Sequence, residues 1–309
     1  MLILLLACTG SKTTAIEPAP GPVVRVIRGP WEYAQALALA ATGPRDLSGS
    51  WAGPTIILSA WVLDGELWAA TSLDSGRGWT PPTKIDSQVV VGPDAQTLPR
   101  LAIALGRPVI AYVSEGVPKL AERSPEGWQS EALAERGGPL TLGVVDGEPV
   151  VSWVAEGGAL FYDGLAVVEG ACAESRPAIS AEGQVAWRVP EGIMVDGELI
   201  ELGGGCVADG PVFDGEVPVA AAEGVIHRGD EILPTLLEGW TAAQPRASGG
   251  ALGWIEEKDG LERAVLQGTG LFTHEAILLG DPVVVAGEVW MPFIAGKPVV
   301  AAWSPARID

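Results

Sequence analysis

Three arginines are the side chains of this sequence whose spacing could bring charged groups together. Arg100, Arg176 and Arg246 each lie next to a proline that opens a recurring unit of the chain. A guanidinium group presents its N–H donors in a planar fork that fits a carboxylate or phosphate. Three such groups at equivalent positions of a ring could therefore grip an anion. The alternative is that each arginine pairs with a nearby carboxylate, such as Glu174 or Asp94.

The sequence carries no familiar catalytic motif beside these arginines. It has no Gly-x-Ser-x-Gly, P-loop or dinucleotide-binding motif. His227 and His274 are isolated in strand-like segments, and neither has a triad-like neighbour. We therefore predict no catalytic residue, no metal site and no cofactor. Calcium stays open for so acidic a chain, although no Asp-x-Asp-x-Asp loop supports it.

Cys172 and Cys206 are 34 residues apart, which is about one recurring unit. We expect them to be neighbours in adjacent units, where an exported protein could join them by a disulfide. Two free buried thiols are the alternative. A zinc site is disfavoured because no histidine lies near either cysteine.

The recurring unit is a proline with a short apolar strand, a turn, and a second apolar strand with a central aromatic residue. Asp-Gly-Glu turns, which favour hairpins, start at positions 64, 146, 196 and 214. Units 34 to 40 residues long with about four short strands each indicate a β-propeller. In a propeller, the three arginines lie where inner strands begin, at the rim of the central channel. The marker prolines are Pro99, Pro139, Pro177, Pro211, Pro245 and Pro282.

An irregular unit precedes these six, with an insertion at 41–53 and predicted strands at 34–40, 55–62, 66–71 and 79–85. The last unit shows only three strands, at 282–286, 288–294 and 298–303, and residues 23–27 can supply the fourth. The predicted fold is an all-β propeller of seven four-stranded blades, closed by the N-terminal strand; six blades remain the alternative. We interpret the central Trp and Tyr residues as packing between blades.

Residues 72–79, Ser-Leu-Asp-Ser-Gly-Arg-Gly-Trp, resemble the Asp box Ser-x-Asp-x-Gly-x-Thr-Trp of sialidase-like β-propellers, with Gly78 in place of Thr. The Asp74 carboxylate can accept N–H groups of its own turn after Ser72. Gly76 and Gly78 supply freedom for positive φ, and Trp79 packs over the turn as the next strand begins. The resemblance implies a structural hairpin between the third and fourth strands of a blade.

Sialidase catalysis, which the resemblance would also imply, lacks its residues here. That family uses a Tyr nucleophile late in the chain, helped by Glu, with an Asp acid/base and three arginines that clamp a carboxylate. The tyrosines here are Tyr33, Tyr112 and Tyr162, and the Phe/Tyr-Arg-Ile-Pro motif of the family is missing. The resemblance therefore covers the fold and the Asp box, and we predict that the protein does not hydrolyse sialosides.

The N-terminus resembles a bacterial lipoprotein signal, because Leu-Leu-Ala-Cys at positions 5–8 matches a lipobox. This predicts a signal segment at 1–7, lipidation of Cys8, a flexible tether at 8–22 and a single propeller domain at 23–309. The apolar stretch is short and lacks a basic flank. A chance apolar start is the alternative. The predicted location is the bacterial envelope, periplasmic or at the cell surface.

The composition limits the class of partner. The chain has 309 residues with a net charge of −20, which argues against nucleic acid and anionic membrane surfaces. We expect a monomer that touches the membrane only through its lipid. The function predicted is non-catalytic binding of a protein or glycan in the envelope or outside the cell. A divergent sialidase-like glycoside hydrolase and a scaffold subunit for envelope assembly are the alternatives.

Overall fold

The computed structural model describes residues 23–304, apart from 43–54, 90, 92–97, 207–208, 236–237, 249–250, 268–271, 275–276, 279, 286–287 and 296. All regular secondary structure among these described residues is β-strand. No helix among them is long and apolar enough to cross a membrane. The predicted signal segment, Cys8, the tether and most of the insertion at 41–53 lie outside the described residues.

The described strands form seven antiparallel sheets, which we name blades 1 to 7. The chain enters with β1 (Val23–Ile27), which belongs to the last blade. Blade 1 contains β2 (Ala36–Thr42), β3 (Ile56–Leu63), β4 (Glu66–Ser72) and β5 (Thr83–Ser87). Blade 2 contains β6 (Arg100–Ala104), β7 (Arg107–Ser114), β8 (Val117–Ser124) and β9 (Gly127–Ala132). Blade 3 contains β10 (Leu140–Val145), β11 (Glu148–Val154), β12 (Leu160–Tyr162) and β13 (Leu165–Val168).

The remaining blades repeat the same meander in chain order. Blade 4 contains β14 (Ala178–Ile179), β15 (Val185–Val189), β16 (Gly192–Val195) and β17 (Glu198–Glu201). Blade 5 contains β18 (Val212–Asp214), β19 (Val217–Ala222), β20 (Val225–Arg228) and β21 (Glu231–Leu233). Blade 6 contains β22 (Thr241–Ser248), β23 (Ala251–Lys258), β24 (Leu261–Gln267) and β25 (Phe272–His274). Blade 7 contains β26 (Ile277–Leu278), β27 (Val283–Val285), β28 (Glu288–Ala295) and β29 (Lys297–Ser304), and is completed by β1.

The first strand of each blade lies innermost, and these strands surround one central channel. Residues of β2, β6, β10, β14, β18, β22 and β27 all border it. Neighbouring inner strands contact one another from β2 round to β22, β27 contacts β2, and β26 contacts blade 6. This arrangement is a β-propeller, as the sequence predicts, and the described residues contain seven sheets.

The two ends of the described chain meet in blade 7. Strand β1 pairs antiparallel with β29, from Val23 opposite Ser304 to Ile27 opposite Val300. The blade also contains β26, which the sequence analysis missed, paired with the same strand β28 as β27. Joining both chain ends in one sheet removes the exposed edge that β29 would otherwise present.

Large aromatic side chains fill the space between blades. Trp153 is buried in a cluster with residues of blades 2 and 3, and Trp254 in one with residues of blades 5 and 6. Trp290 of blade 7 shares a cluster with Leu37 and Trp61 of blade 1. The predicted role of the central aromatic residues in packing between blades is therefore confirmed for these positions.

The Asp-Gly turns take the backbone form that their residue types favour. Asp64, Asp146 and Asp196 have positive φ, and so does the glycine after each, as a type I′ hairpin turn requires. Asp214 does not have positive φ, although the glycine after it does.

The hairpin at residues 72–79, which resembles an Asp box, joins the third and fourth strands of blade 1. The Asp74 Oδ1 atom accepts hydrogen bonds from the N–H groups of Arg77 (3.0 Å) and Gly78 (2.8 Å), and from Ser72 Oγ (2.8 Å). Ser72 Oγ in turn accepts the N–H of Gly76 at 2.8 Å. The bonds from Gly78 and Ser72 lower the pKa of Asp74, so the turn holds an ionised carboxylate.

Two details of this hairpin differ from the prediction. Positive φ falls on Ser75 (59°) and Gly76 (81°), and Gly78 does not take that conformation. Trp79 does not begin the next strand, which starts at Thr83, because two prolines at 81–82 cannot donate ladder hydrogen bonds. Its ring packs edge-on against Trp31, with ring centroids 4.6 Å apart.

Cys172 and Cys206 are joined by a disulfide, and their Cα atoms are 5.4 Å apart. Cys172 precedes blade 4 and Cys206 follows it, so the bond closes a loop around that blade. Arg188 holds the same region, because it donates hydrogen bonds to the carbonyl oxygens of Gly203 (2.8 Å) and Gly205 (3.1 Å).

Removing this cross-link should lower stability. The two cysteines are 34 residues apart, and a loop of that length predicts a loss of roughly 3–4 kcal/mol in the chain-entropy account. We expect Cys172→Ala/Cys206→Ala to show that decrease in urea unfolding. A midpoint and slope identical to the wild type, under non-reducing conditions, would contradict the prediction.

Candidate functional site

The central channel contains a cavity of about 520 Å³. Arg100 at the start of β6, Arg176 just before β14 and Asp281 just before β27 all border it. The cavity volume lies within the usual range of small-ligand sites. Three of the side chains that border this space are charged, although they come from blades far apart in the chain.

The three predicted arginines converge on one carboxylate. Arg100 Nη1 lies 2.5 Å from Asp281 Oδ2. Arg176 Nη1 and Arg246 Nε lie 3.6 Å and 3.9 Å from Asp281 Oδ1. The arginines are 5%, 2% and 1% exposed, so they are buried rather than placed on an open rim, whereas the Asp281 side chain is 32% exposed.

Two irregularities in the inner strands place members of the cluster. In β22, Ala243 pairs with Ile255 but Arg246 pairs with Gly253, so one extra residue interrupts the ladder and Gln244 takes a φ of 52°. Such a bulge bends the strand and changes the direction of the side chains after it. It therefore sets the direction of Arg246.

The second irregularity carries Asp281. Leu278 of β26 pairs with Phe293, and Val283 of β27 pairs with Trp290, which leaves two more residues on the inner strand than on its partner. Asp281 lies in this interruption. Gly280 beside it is essential for the fit, because a Cβ there would come within 2.3 Å of the Leu37 carbonyl oxygen in blade 1.

The cluster carries an excess of positive charge. Three guanidinium groups face Asp281, and Asp209 is close enough to raise the pKa values of Arg176 and Arg246. Asp209 Oδ2 also accepts the N–H of Gln244 at 2.9 Å. Counting three arginines against two aspartates leaves a formal charge of +1.

Burial and mutual interaction shift the titration of these groups. Burial acts to raise the pKa of Asp281, but Arg100, Arg176 and Arg246 together lower it to about 2. Burial lowers the pKa of Arg246 to about 10, an effect that Asp281 partly offsets. Burial also lowers the pKa of Arg176, and Arg100 lowers it further. Asp281 is therefore ionised at neutral pH, and Arg246 remains protonated there.

Several donors in the cluster are not used within the described part of the chain. The Nε and Nη2 atoms of Arg100 and of Arg246 are buried and have no hydrogen-bond partner among the described residues. Leaving buried donors unsatisfied costs about 1–3 kcal/mol each. These atoms have almost no surface exposed to the cavity, so an anion could accept hydrogen bonds from them only if the cluster opened locally.

The low pKa of Asp281 predicts an acid-sensitive contribution to stability. A carboxyl whose folded pKa lies below its unfolded value stabilises fully above the unfolded pKa, near 3.9, and loses this as pH falls through about 2. The contribution is roughly 2–3 kcal/mol at neutral pH. We expect Asp281→Asn to reduce the slope of unfolding free energy against pH between pH 4 and 2. Asp230→Asn, an exposed change in the β20–β21 turn, serves as the control; equal slopes in both variants would contradict the assignment.

None of the tyrosines borders the cavity, although a sialidase mechanism would need one there. Tyr33 is exposed in the segment before β2. Tyr112 is buried between blades and donates to Asp86 Oδ2 at 2.8 Å; burial raises its pKa. Tyr162 in β12 contacts the Gly183 carbonyl oxygen at 3.4 Å, and burial raises its pKa as well.

His227 does not border the cavity. His227 lies in β20, and burial followed by the charge of Arg188 lowers its pKa. His274 lies in β25, and its side chain is outside the described parts. In the part of the chain that the structure describes, no group of three His, Cys, Asp or Glu residues could hold a metal ion.

Sequence reasoning found the arginines but missed their carboxylate. The proposed partner Glu174 is exposed, and Asp94 lies outside the described residues. The partner is Asp281, which directly precedes the marker Pro282 as Arg176 directly precedes Pro177. This shared position directly before a marker proline could have indicated that Asp281 lies at the start of an inner strand, as Arg176 does.

Comparison with known proteins supports the fold. No protein-family model matches the sequence, and no curated protein matches it. BBS1N in complex with ARL6DN is similar at 11% identity with a TM-score of 0.55, covering 89% of this chain and 93% of that chain. The β-propeller domain of the trilobed protease from Pyrococcus furiosus is also 11% identical, with a TM-score of 0.48, covering 88% and 94%. At 11% identity, the likeness to BBS1N concerns the fold alone.

Proposed function

We propose that this propeller is a non-catalytic binding protein whose channel takes an anionic group of its ligand. One observation carries the proposal: three buried arginines from blades 2, 4 and 6 share a single carboxylate at the channel cavity. Two of them keep N–H donors that no described residue accepts. Preformed donors with excess positive charge are suited to a carboxylate.

The envelope is the proposed setting for this binding. The lipobox-like Leu-Leu-Ala-Cys segment at 5–8 supports export with a lipid on Cys8, and the Cys172–Cys206 disulfide is of a kind that persists in oxidising compartments. The proposed ligand is a protein or glycan in the envelope or outside the cell. The protein itself would act as a monomer.

A sialidase-like hydrolase is the weaker candidate. The Asp box supports a relation to sialidase-like propellers, but that hairpin joins the third and fourth strands of blade 1, away from the innermost strand. The Asp281 carboxyl, with a pKa of about 2, is a poor proton donor at neutral pH. Among the described residues bordering the cavity, none is a tyrosine or a glutamate that could act as nucleophile or base.

A scaffold role has one observation in its favour. The outermost strands of blades 3, 4 and 5 expose apolar side chains, namely Leu165 and Val167 of β13, Leu199 of β17 and Ile232 of β21. Exposed apolar groups on the outermost strands of neighbouring blades can support contact with another protein. This outer surface is separate from the channel, so a scaffold role and ligand binding are compatible.

Calorimetric titration with small carboxylates tests the channel proposal. The probes are benzoate, glucuronate and N-acetylneuraminate, added to the wild type and to Arg100→Ala. We expect at least one probe to bind and Arg100→Ala to weaken it about tenfold or more, since charge-assisted hydrogen bonds are lost. A fluorogenic sialoside should not be hydrolysed.

Arg107→Ala is the matched control, because Arg107 lies in the same blade but is 53% exposed and pairs with Glu122 on the surface. It should leave binding unchanged. Absence of binding for all three probes would refute the proposal, as would equal weakening by the two substitutions. Turnover of the sialoside would favour the hydrolase instead.

A further inference from the structure

We infer that the Cys172–Cys206 disulfide is a redox-sensitive clamp on the arginine cluster. While the bond is intact, it holds Asp209 against blade 6; its reduction releases Asp209 and strengthens anion binding in the channel. The effect on binding rests on the proposed function, because the clamp regulates the same site. The positioning of Asp209 does not depend on it.

The disulfide joins the two chain segments that bring Arg176 and Asp209 to the cluster. Cys172 is four residues before Arg176, and Cys206 is three residues before Asp209. The first segment turns tightly, because the Ser175 N–H donates to the Cys172 carbonyl oxygen at 3.0 Å. A covalent bond so close to both residues limits where Asp209 can lie relative to Arg176.

The two segments meet again at the cluster itself. A Cβ on Gly210, next to Asp209, would come within 2.2 Å of the Arg176 carbonyl oxygen, so only glycine permits this approach. Asp209 then reaches blade 6, where its Oδ2 atom accepts the N–H of Gln244 at 2.9 Å. Gln244 belongs to the bulge that precedes Arg246. Asp209 therefore links the segment that follows the disulfide to the strand that places Arg246.

A run of three glycines leads to Cys206. Gly203, Gly204 and Gly205 all take positive φ, at 66°, 79° and 66°. Arg188 holds the first and the third of them through their carbonyl oxygens. Because glycine has wide conformational freedom, this segment loses much of its restraint when the disulfide breaks. The loosened segment includes Cys206 and continues to Asp209.

The disulfide can be reached by a reductant from one side. Cys206 is exposed and Cys172 is buried, so we expect a thiolate to attack the Cys206 sulfur. A dithiol reductant first forms a mixed disulfide with Cys206 and releases the Cys172 thiolate. Its second thiol then displaces Cys206, so the dithiol leaves as a disulfide after giving two electrons. Both cysteines take up a proton and end as thiols.

Release of Asp209 changes the charge of the cluster. Three arginines against Asp281 and Asp209 leave a formal charge of +1, and three against Asp281 alone leave +2. The larger positive charge attracts an anion more strongly. The loosened contact also assists the local opening that an anion needs to reach the buried donors. We therefore expect the oxidised protein to bind carboxylates less tightly than the reduced protein.

Nitrogen-15 NMR spectra of the full chain, oxidised and reduced with dithiothreitol, test the positioning of Asp209. The Gln244 N–H signal reports the hydrogen bond to Asp209, so reduction should move it at least halfway toward its position in oxidised Asp209→Ala. In Asp209→Ala, reduction should move this signal little. The Trp254 N–H signal, from the same blade, should stay in place. A Gln244 signal that does not respond to reduction would overturn the inference.

Calorimetric titration with benzoate and glucuronate measures the effect on binding. We expect reduction to tighten binding of the better probe about threefold or more, since one more net positive charge faces the anion. Asp209→Ala should bind equally in both redox states. Equal affinities in the wild type, with the Gln244 signal moved, would overturn the control of binding and leave the clamp in place. If neither probe binds in either state, the proposed function fails and the Gln244 signal alone decides about the clamp.

The rate of reduction provides a test that does not require the reduced protein to stay folded. Removing Asp209 frees the segment that carries Cys206, so folded Asp209→Ala should lose its disulfide to dithiothreitol several-fold faster than the wild type. Asp230→Ala, an exposed change in the β20–β21 turn, should react at the wild-type rate. Equal rates for Asp209→Ala and the wild type would overturn the inference.

Discussion

Deleting residues 1–28 should abolish stable folding. The deletion removes β1, and with it five residue pairs to β29 in blade 7. It also removes Ile27, which is buried with Trp31, Leu37 and Trp290 where blades 7 and 1 meet. Loss of a buried Ile side chain alone costs about 2–5 kcal/mol, and the lost strand pairing adds to it. Whole domains are stable by only about 5–15 kcal/mol. We therefore expect the truncated protein to be unfolded at 37 °C and to show no cooperative unfolding transition in differential scanning calorimetry.

Deletion of residues 1–22 is the matched control, because it leaves β1 complete. This shorter deletion should unfold within a few degrees of the full chain in differential scanning calorimetry. Similar melting temperatures for the two truncations would mean that β1 does not close the propeller.

Asp281→Ala should destabilise the fold by about 3–5 kcal/mol, because it leaves three buried arginines without their shared carboxylate. The loss should appear as a lower urea midpoint with an unchanged slope. Acetate should restore part of the stability, because an anion that binds the folded cluster shifts the equilibrium by mass action.

Asp230→Ala provides the control, since Asp230 is exposed in the β20–β21 turn. This variant should lose less than about 0.5 kcal/mol and show no specific response to acetate. The response of Asp230→Ala to the same acetate concentration separates anion binding at the cluster from a general salt effect. A loss for Asp281→Ala no larger than that of the control would contradict the cluster's role in stability.

The sequence allowed the fold to be predicted because each blade repeats a local pattern. Marker prolines and Asp-Gly turns are short-range signals, and the period of the prolines placed three arginines at equivalent inner positions. Closure by Val23–Ile27 was also predictable, because the last unit lacked one strand. The prediction erred where local chemistry interrupts the repeat, as at the two prolines that delay β5.

The partner of the arginines could not be predicted with the same ease. Asp281 is 181 residues from Arg100, and it reaches the cluster through an interruption of the inner strand of blade 7. A bulge changes the register by one or two residues and leaves no strong mark in the sequence. Strand β26 was missed for a related reason, because it is two residues long and pairs with a strand already assigned to β27.

Anomalous diffraction from a bromide-soaked crystal tests the central claim, that the arginine cluster accepts an anion. We predict an anomalous peak in the channel beside the Arg100 guanidinium, and its loss in crystals of Arg100→Ala. Bromide sites confined to the outer surface, with no peak at the cluster under the same soak, would contradict the account.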